Sequence, residues 1–209
     1  MSISTSRLDP DEVGKEDRMT QTTPPPAPGE LSSVALAFAN TLLSGPSGNI
    51  DLIRQPDAAA AWLSEHALPI IGPVRPDDAV RLVELRTAIR DILTALPDQR
   101  TPNPEAVNKI NTSAAAAPGA VQLTWSYCPQ QTWTPTNSTT LSATLALFAT
   151  DAIELVSGPR AQQLRRCEAH GCIRIFLREH ARRRWCSDTC GDRVRSARHY
   201  QRHQHQDHA

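Results

Sequence analysis

Cys167, Cys172, Cys186 and Cys190 fall within 24 residues, with four, thirteen and three residues between them. Two thiol pairs joined by a loop of that length have the spacing with which proteins grip a tetrahedral ion, zinc above all, through two thiolates on each side. Four thiolate ligands leave no coordination position for water, so the expected ion is one structural Zn2+ and not a hydrolytic centre. Two disulfides, unrelated thiols, or a ligand set in which His170 replaces Cys172 are the alternatives that the spacing leaves open. Cys128 stands apart from the cluster and reads as an incidental thiol.

Arginines surround the cluster. Arg182, Arg183 and Arg184 run straight into the second cysteine pair, and Arg193, Arg195, Arg198 and Arg202 follow it. On a helix, Arg195, Arg198 and Arg202 share one face with His199 beside them. Guanidinium forks suit phosphate oxygens and the O6/N7 edge of guanine. These seven arginines are therefore the candidate nucleic-acid contacts, DNA first and RNA as a variant. The bland reading is a solvated basic surface that meets an acidic protein patch, including one in the same chain.

The charge balance supports such a division. The 209 residues hold equal numbers of acidic and basic side chains, yet residues 160–209 carry 12 basic against 5 acidic and residues 1–159 carry 10 against 17. Arginine outnumbers lysine 20 to 2, which coding bias explains as well as function does. No stretch approaches the ~18–20 apolar residues of a membrane span, and the polar N-terminus does not resemble a secretion signal, so a cytoplasmic location is expected. In that compartment clustered cysteines read as metal ligands.

Several elements are needed to position these groups. Residues 1–30, rich in Pro, Thr, Ser and charge, read as a disordered arm. From Leu31 a helical spacing runs through Val34, Phe38 and Leu42 to the stop at Gly45-Pro46. Pro56, Pro76 and Pro104 each open a further helix, the last behind an Asn103 cap. Val121–Tyr127 alternates at period two, Cys128–Gln131 reads as a turn and Trp133 lies on a return strand, so one hairpin is expected. A helix from about Ser138 to Ser157 ends at Gly158-Pro159. Residues 31–159 thus form a mostly α domain with a small β-hairpin.

Residues 160–204 form the metal module, with 205–209 as a tail whose His203, His205 and His208 could hold metal only adventitiously. Within the module two short strands, around Ile173–Leu177 and Arg184-Trp185, are expected to meet about a turn at Glu179–Ala181. Ser187 then caps a helix that carries Cys190 in its first turn. A β-hairpin plus helix around four cysteines is a treble-clef-like zinc finger, too small to fold without its metal. Phe176 and Trp185 read as packing residues, with base stacking as the alternative.

Arg166-Cys167, Gly171-Cys172, Phe176, Arg183–Ser187 and Cys190-Gly191-x-Arg193 together resemble the CGNR zinc finger, named for its Cys-Gly-Asn-Arg signature. In that family the finger follows an α-rich ABATE domain of stress-induced transcription regulators, and the order here agrees. Phe38–Thr41 resembles the domain's opening helix, Leu85–Arg90 its central one and Ile110-Asn111 its next. The resemblance spans about residues 31–203. Two departures stand out: Asp192 occupies the signature's Asn position, and Arg178–His180 replaces the usual Asp and Ser after the aromatic.

The expected function is therefore a zinc-finger DNA-binding transcription regulator whose helical domain senses a small-molecule effector or a protein partner. The alternative is a zinc-stabilised protein-interaction module or an RNA binder. No Gly-rich phosphate loop, nucleophile elbow or His-Glu-x-x-His helix is present, and His66 is the only histidine before residue 160, so no enzyme is expected. Asn40, Thr41, Arg86 and Arg90 are polar residues on otherwise apolar helices. They are candidates for lining a ligand cleft, unless they satisfy one another.

Overall fold

A computed structural model describes residues 24–68, 73–125, 129–136 and 141–206. In chain order the elements are α1 (Val34–Ala39), β1 (Leu42–Gly45), β2 (Gly48–Asp51), α2 (Pro56–Glu65), α3 (Pro76–Ala95), α4 (Pro104–Ala116), β3 (Gly119–Trp125), β4 (Pro129–Pro135), α5 (Leu141–Ser157), β5 (Leu164–Arg166), β6 (Ile175–Leu177) and α6 (Asp188–Gln206). The strands form three separate antiparallel pairs, β1–β2, β3–β4 and β5–β6. No helix among the described residues is long and apolar enough to cross a membrane.

The helix starts follow from local chemistry. Pro56, Pro76 and Pro104 each occupy the first helical turn, where a missing N–H costs nothing. Asn103 caps α4 by accepting from Glu105 N at 2.9 Å. Ser33 caps α1, and Asp151 on α5 accepts from both Ser33 Oγ and Ala35 N at 2.7 Å, so α1 is held to α5 at its end.

α1 is shorter than its apolar spacing suggests. Leu42 continues the helical stripe, yet it and Leu43 lie on β1, whose two-residue turn at Pro46-Ser47 returns the chain to β2 with Leu43 opposite Ile50. Thr41 Oγ1 donates to Phe38 O at 2.8 Å and competes with helix propagation there. Gly48 supplies the turn's positive φ of 128°.

The hairpin β3–β4 is present, but Pro129–Gln131 pair as strand and are not the turn. The turn centre at 126–128 and the expected helix start at 138–140 lie outside the described residues. β3 is exposed throughout, with Val121, Leu123 and Trp125 all more than half exposed.

Phe38 and Phe148 stack at 3.9 Å in the middle of the core, with Trp62 tilted against both. Leu82, Leu85, Ile89 and Leu93 of α3 are buried around them. The same core includes Leu164, Ile175 and Leu177. The cysteine module is thus not a separate bead, because its β5–β6 pair completes the helical domain's core.

The expected disordered arm ends earlier than residue 30. Ala27 is buried, Pro28 O accepts from Leu177 N at 2.8 Å, and Pro25 O accepts from Arg174. A proline run needs no internal hydrogen bonds and can lie extended against another strand, which low apolar content alone does not reveal. Gly29 is required in this strap: its φ is 95°, and a Cβ there would sit 2.6 Å from Leu177 Cγ. Residues 1–23 lie outside the described residues.

Buried polar groups join the two parts. Asn40 donates to Ile175 O at 2.7 Å and accepts from Ile175 N at 2.9 Å, in the manner of a paired strand. Asn40→Ala would leave both backbone groups unsatisfied at about 1–3 kcal/mol each. Urea unfolding of this variant is expected to show a midpoint lowered by at least about 2 kcal/mol of stability. An unchanged midpoint would mean that the joint carries no load.

Candidate metal centre and basic face

The first cysteine pair is carried by a tight turn between β5 and β6. Cys167 N donates to Arg174 O at 3.0 Å, Cys172 N donates to Ala169 O at 2.9 Å, and Gly171 provides a φ of 73°. The second pair lies at a helix start: Ser187 Oγ accepts from Cys190 N at 3.2 Å, so the hydroxyl caps α6 and fixes Cys190 in its first turn. The hairpin therefore forms around the first pair, Leu164–Arg166 with Ile175–Leu177. It is not built from 173–177 and 184–185 as the sequence suggested. Arg184 O instead accepts from Glu168 N, which brings the segment before the second pair back over the turn.

The four sulfurs lie within 4.8 Å of one another, and the Cys172–Cys186 and Cys186–Cys190 separations are both 3.7 Å. Tetrahedral ligands at a zinc–sulfur distance of ~2.3 Å lie ~3.8 Å apart, so the donor set fits a metal of that kind. At 3.7 Å neither of these two pairs is a disulfide, whose bond needs ~2.05 Å. All four are free thiols, and His170 is outside the cluster.

Charge explains why a cation belongs there. The Cys167 thiol is drawn down to about 2, chiefly by hydrogen bonds from Cys172 and then Cys186, with Cys186 N also donating to its sulfur at 3.4 Å. Cys172 is pushed up to about 11 by the neighbouring Cys167, and Cys186 is raised as well by Cys167 and Cys172. Sulfurs at this spacing resist becoming four thiolates together, and a divalent cation among them removes the conflict.

The arginines divide by partner. Arg184 pairs with Glu168, and Arg195 pairs with Asp192 at 2.5 Å while lying 5.8 Å from the Trp185 ring centre. Arg193 donates to His170 O and approaches Cys190 Sγ, and Arg202 donates to Arg198 O. Arg182, Arg183, Arg193, Arg198 and Arg202 have no acidic partner among the described residues. Of these only Arg183 is partly buried. Phe176 is fully buried and so is not a stacking platform, while Trp185 is partly buried against Gly191, where a Cβ would come within 3.1 Å of it. The side chains of His203 and His205, and all of His208, lie outside the described residues.

The quartet Asn40, Thr41, Arg86 and Arg90 makes hydrogen bonds within the protein; Asn40 and Thr41 also line a cavity with Trp62, His66 and Arg174, and Arg86 Nε is buried without an acceptor. Arg86 reaches Asp51 with two bonds of 2.5 and 2.6 Å and Thr41 at 3.1 Å. Burial alone would raise the Asp51 carboxyl, but hydrogen bonds and charge from Arg86 more than offset it and hold it below the usual range. Arg90 donates to Ala39 O and Ile173 O at 2.7 Å. Burial pushes its pKa down to about 10, which leaves it charged at neutral pH. Sequence reading missed Arg174 and Glu30, a pair 2.8 Å apart and nearly buried. A lone charge within Ile173–Leu177 was the available signal.

Comparison with known families adds independent assignments. The ABATE family model, described as "Putative stress-induced transcription regulator", matches residues 32–159. The CGNR zinc finger model matches residues 163–203. No curated protein matches the chain.

Removing one sulfur should release the metal. Cys172→Ser is expected to weaken metal retention by more than the roughly 10- to 100-fold that loss of a supporting group costs, measured against a colorimetric chelator. Retention should also fall as pH falls, since protons compete for every thiolate; a flat profile from pH 8 to 5 would exclude a thiolate site.

Proposed function

Because the chain belongs to the ABATE family and carries a CGNR zinc finger behind that domain, we propose that it is a non-enzymatic transcription regulator that binds DNA through the finger. One structural zinc ion would be held by Cys167, Cys172, Cys186 and Cys190. When bound, it neutralises the thiolates and locks the first-pair turn to the start of α6. The helical domain would receive the effector or partner to which the finger responds.

The observation that carries this reading is the set of arginines left without acidic partners around a rigid centre. Arg182 and Arg183 precede Cys186, while Arg198 and Arg202 stand four residues apart on α6 and are exposed. Two directions of approach to phosphate are thereby offered from one small scaffold. Arg184 and Arg195 are already paired, so their share in binding is smaller. Docking on the helical domain uses β5–β6 and the strap, and the exposed side of α6 is left available.

Duplex DNA titrations at two salt concentrations test the proposal. Arg198→Ala and Arg202→Ala should each weaken binding across sequences and lower the salt slope by about 1. Arg184→Ala should do less. Asp192→Asn removes a negative charge and frees Arg195, so it should tighten binding several-fold, at roughly 1 kcal/mol. Absence of binding by the zinc-loaded chain at low salt, or binding unaltered by chelator, would overturn the reading. RNA retention without DNA retention would redirect it.

A further inference from the structure

Residues 111–150 contain no Asp, Glu, Lys or Arg, in a chain that is 21% charged. The β3–β4 hairpin lies within that stretch. Its two strands pair with each other, touch the helices only sparsely, and have no third strand beside them among the described residues. An isolated two-stranded hairpin is marginal in water and gains its stability from a further strand or from an apolar surface packed on it.

Side chains alternate along a strand, so Val121, Leu123 and Trp125 share one face of β3. They are 62, 67 and 70% exposed, and every other residue of β3 is exposed as well. The three present roughly 400 Å² of apolar surface, the size at which a patch on a soluble protein marks an interaction site.

What covers this face must itself be apolar and uncharged, because the hairpin has no charge with which to pair and a buried, unpaired charge opposite it is costly. The chain carries such a surface in the stripe itself. We propose that β3 is a self-association surface, on which two copies of this chain pack face to face about a two-fold axis at Leu123. Leu123 then meets the partner's Leu123, and Val121 meets the partner's Trp125 in each direction, small against large. The stripes bury about 800 Å² between them, and the exposed flanks of the two strands bring the total to the ~1,200 Å² of a small reversible interface. The finger stays free in this arrangement. The hairpin precedes the N-terminal end of α5 and the finger follows its C-terminal end, about 25 Å away along a helix of 17 residues. The dimer therefore carries two basic faces.

Sedimentation velocity of the zinc-loaded full chain, without DNA, tests the pairing. Over ~1–100 µM the mass should climb from 22.9 kDa toward twice that value. Leu123→Lys places two like charges at the centre of the contact and should weaken association at least about tenfold, with the helical circular-dichroism signal unchanged. Ala120→Lys adds the same charge to the same strand on the opposite face and should leave association intact. Should Leu123→Lys fail to fold, Trp125→Thr, which keeps a strand-favouring residue, should weaken association by a similar factor. A wild-type chain that stays at 22.9 kDa throughout, association that survives both Leu123→Lys and Trp125→Thr, or equal loss in Ala120→Lys overturns the proposal. In the first case the stripe serves a different protein. Failure of DNA binding with intact dimers would leave it standing.

Discussion

Four sulfurs within 4.8 Å cannot all be thiolates unless a cation sits among them, and the C-terminal third of the molecule is arranged around that constraint. The β5–β6 turn presents one pair and the capped start of α6 the other. Fifty residues with little apolar content would not hold these segments together by burial alone. Once the turn is fixed, so is the path of residues 173–177. That stretch carries the carbonyl of Ile173, the backbone of Ile175 and the side chain of Arg174, to which the rest of the protein is bonded.

The joint between finger and helical domain is apolar in area and polar in specification. Leu164, Ile175 and Leu177 enter the main core, a non-directional contribution that would tolerate sliding. Asn40, Arg90 and the Glu30–Arg174 pair do not tolerate it, because a shifted strand would leave buried donors and acceptors unmatched. Arg86 with Asp51 does the same inside the domain, tying α3 to the end of the β1–β2 hairpin. Buried ion pairs add little net stability but make wrong arrangements expensive. Here they set one register between a metal module and a helical body.

That rigidity matters for the basic face. Arginines on an independent finger would sample many orientations; on this one the strap and the shared core hold β5–β6, and the Ser187 cap marks where α6 begins. Two of the seven arginines are tied to acidic neighbours. Asp192 explains one of them: standing where the family signature has asparagine, it draws Arg195 onto itself at 2.5 Å. The other five have no acidic partner among the described residues.

The cysteine quartet, the capped start of α6, the proline-led helices and the exposed arginines were legible in the sequence, because each depends on chemistry within a few residues. The β1–β2 hairpin was hidden because Leu42 fits the helical stripe, and only Thr41 and the Gly45–Gly48 turn redirect it. The strand pairing within the finger was misplaced because cysteine spacing says which residues converge and not which backbone segments pair. Long-range matters stayed invisible. That the strap is packed, that Asn40 and Arg90 serve as joints, and that Arg174 is buried with donors to spare all depend on groups 51 to 149 residues apart in the chain. Sequence by itself determined the chemistry available to this protein; tertiary structure alone decided which polar groups satisfy one another and which are left unpaired, since hydrogen bonding is settled by proximity in space.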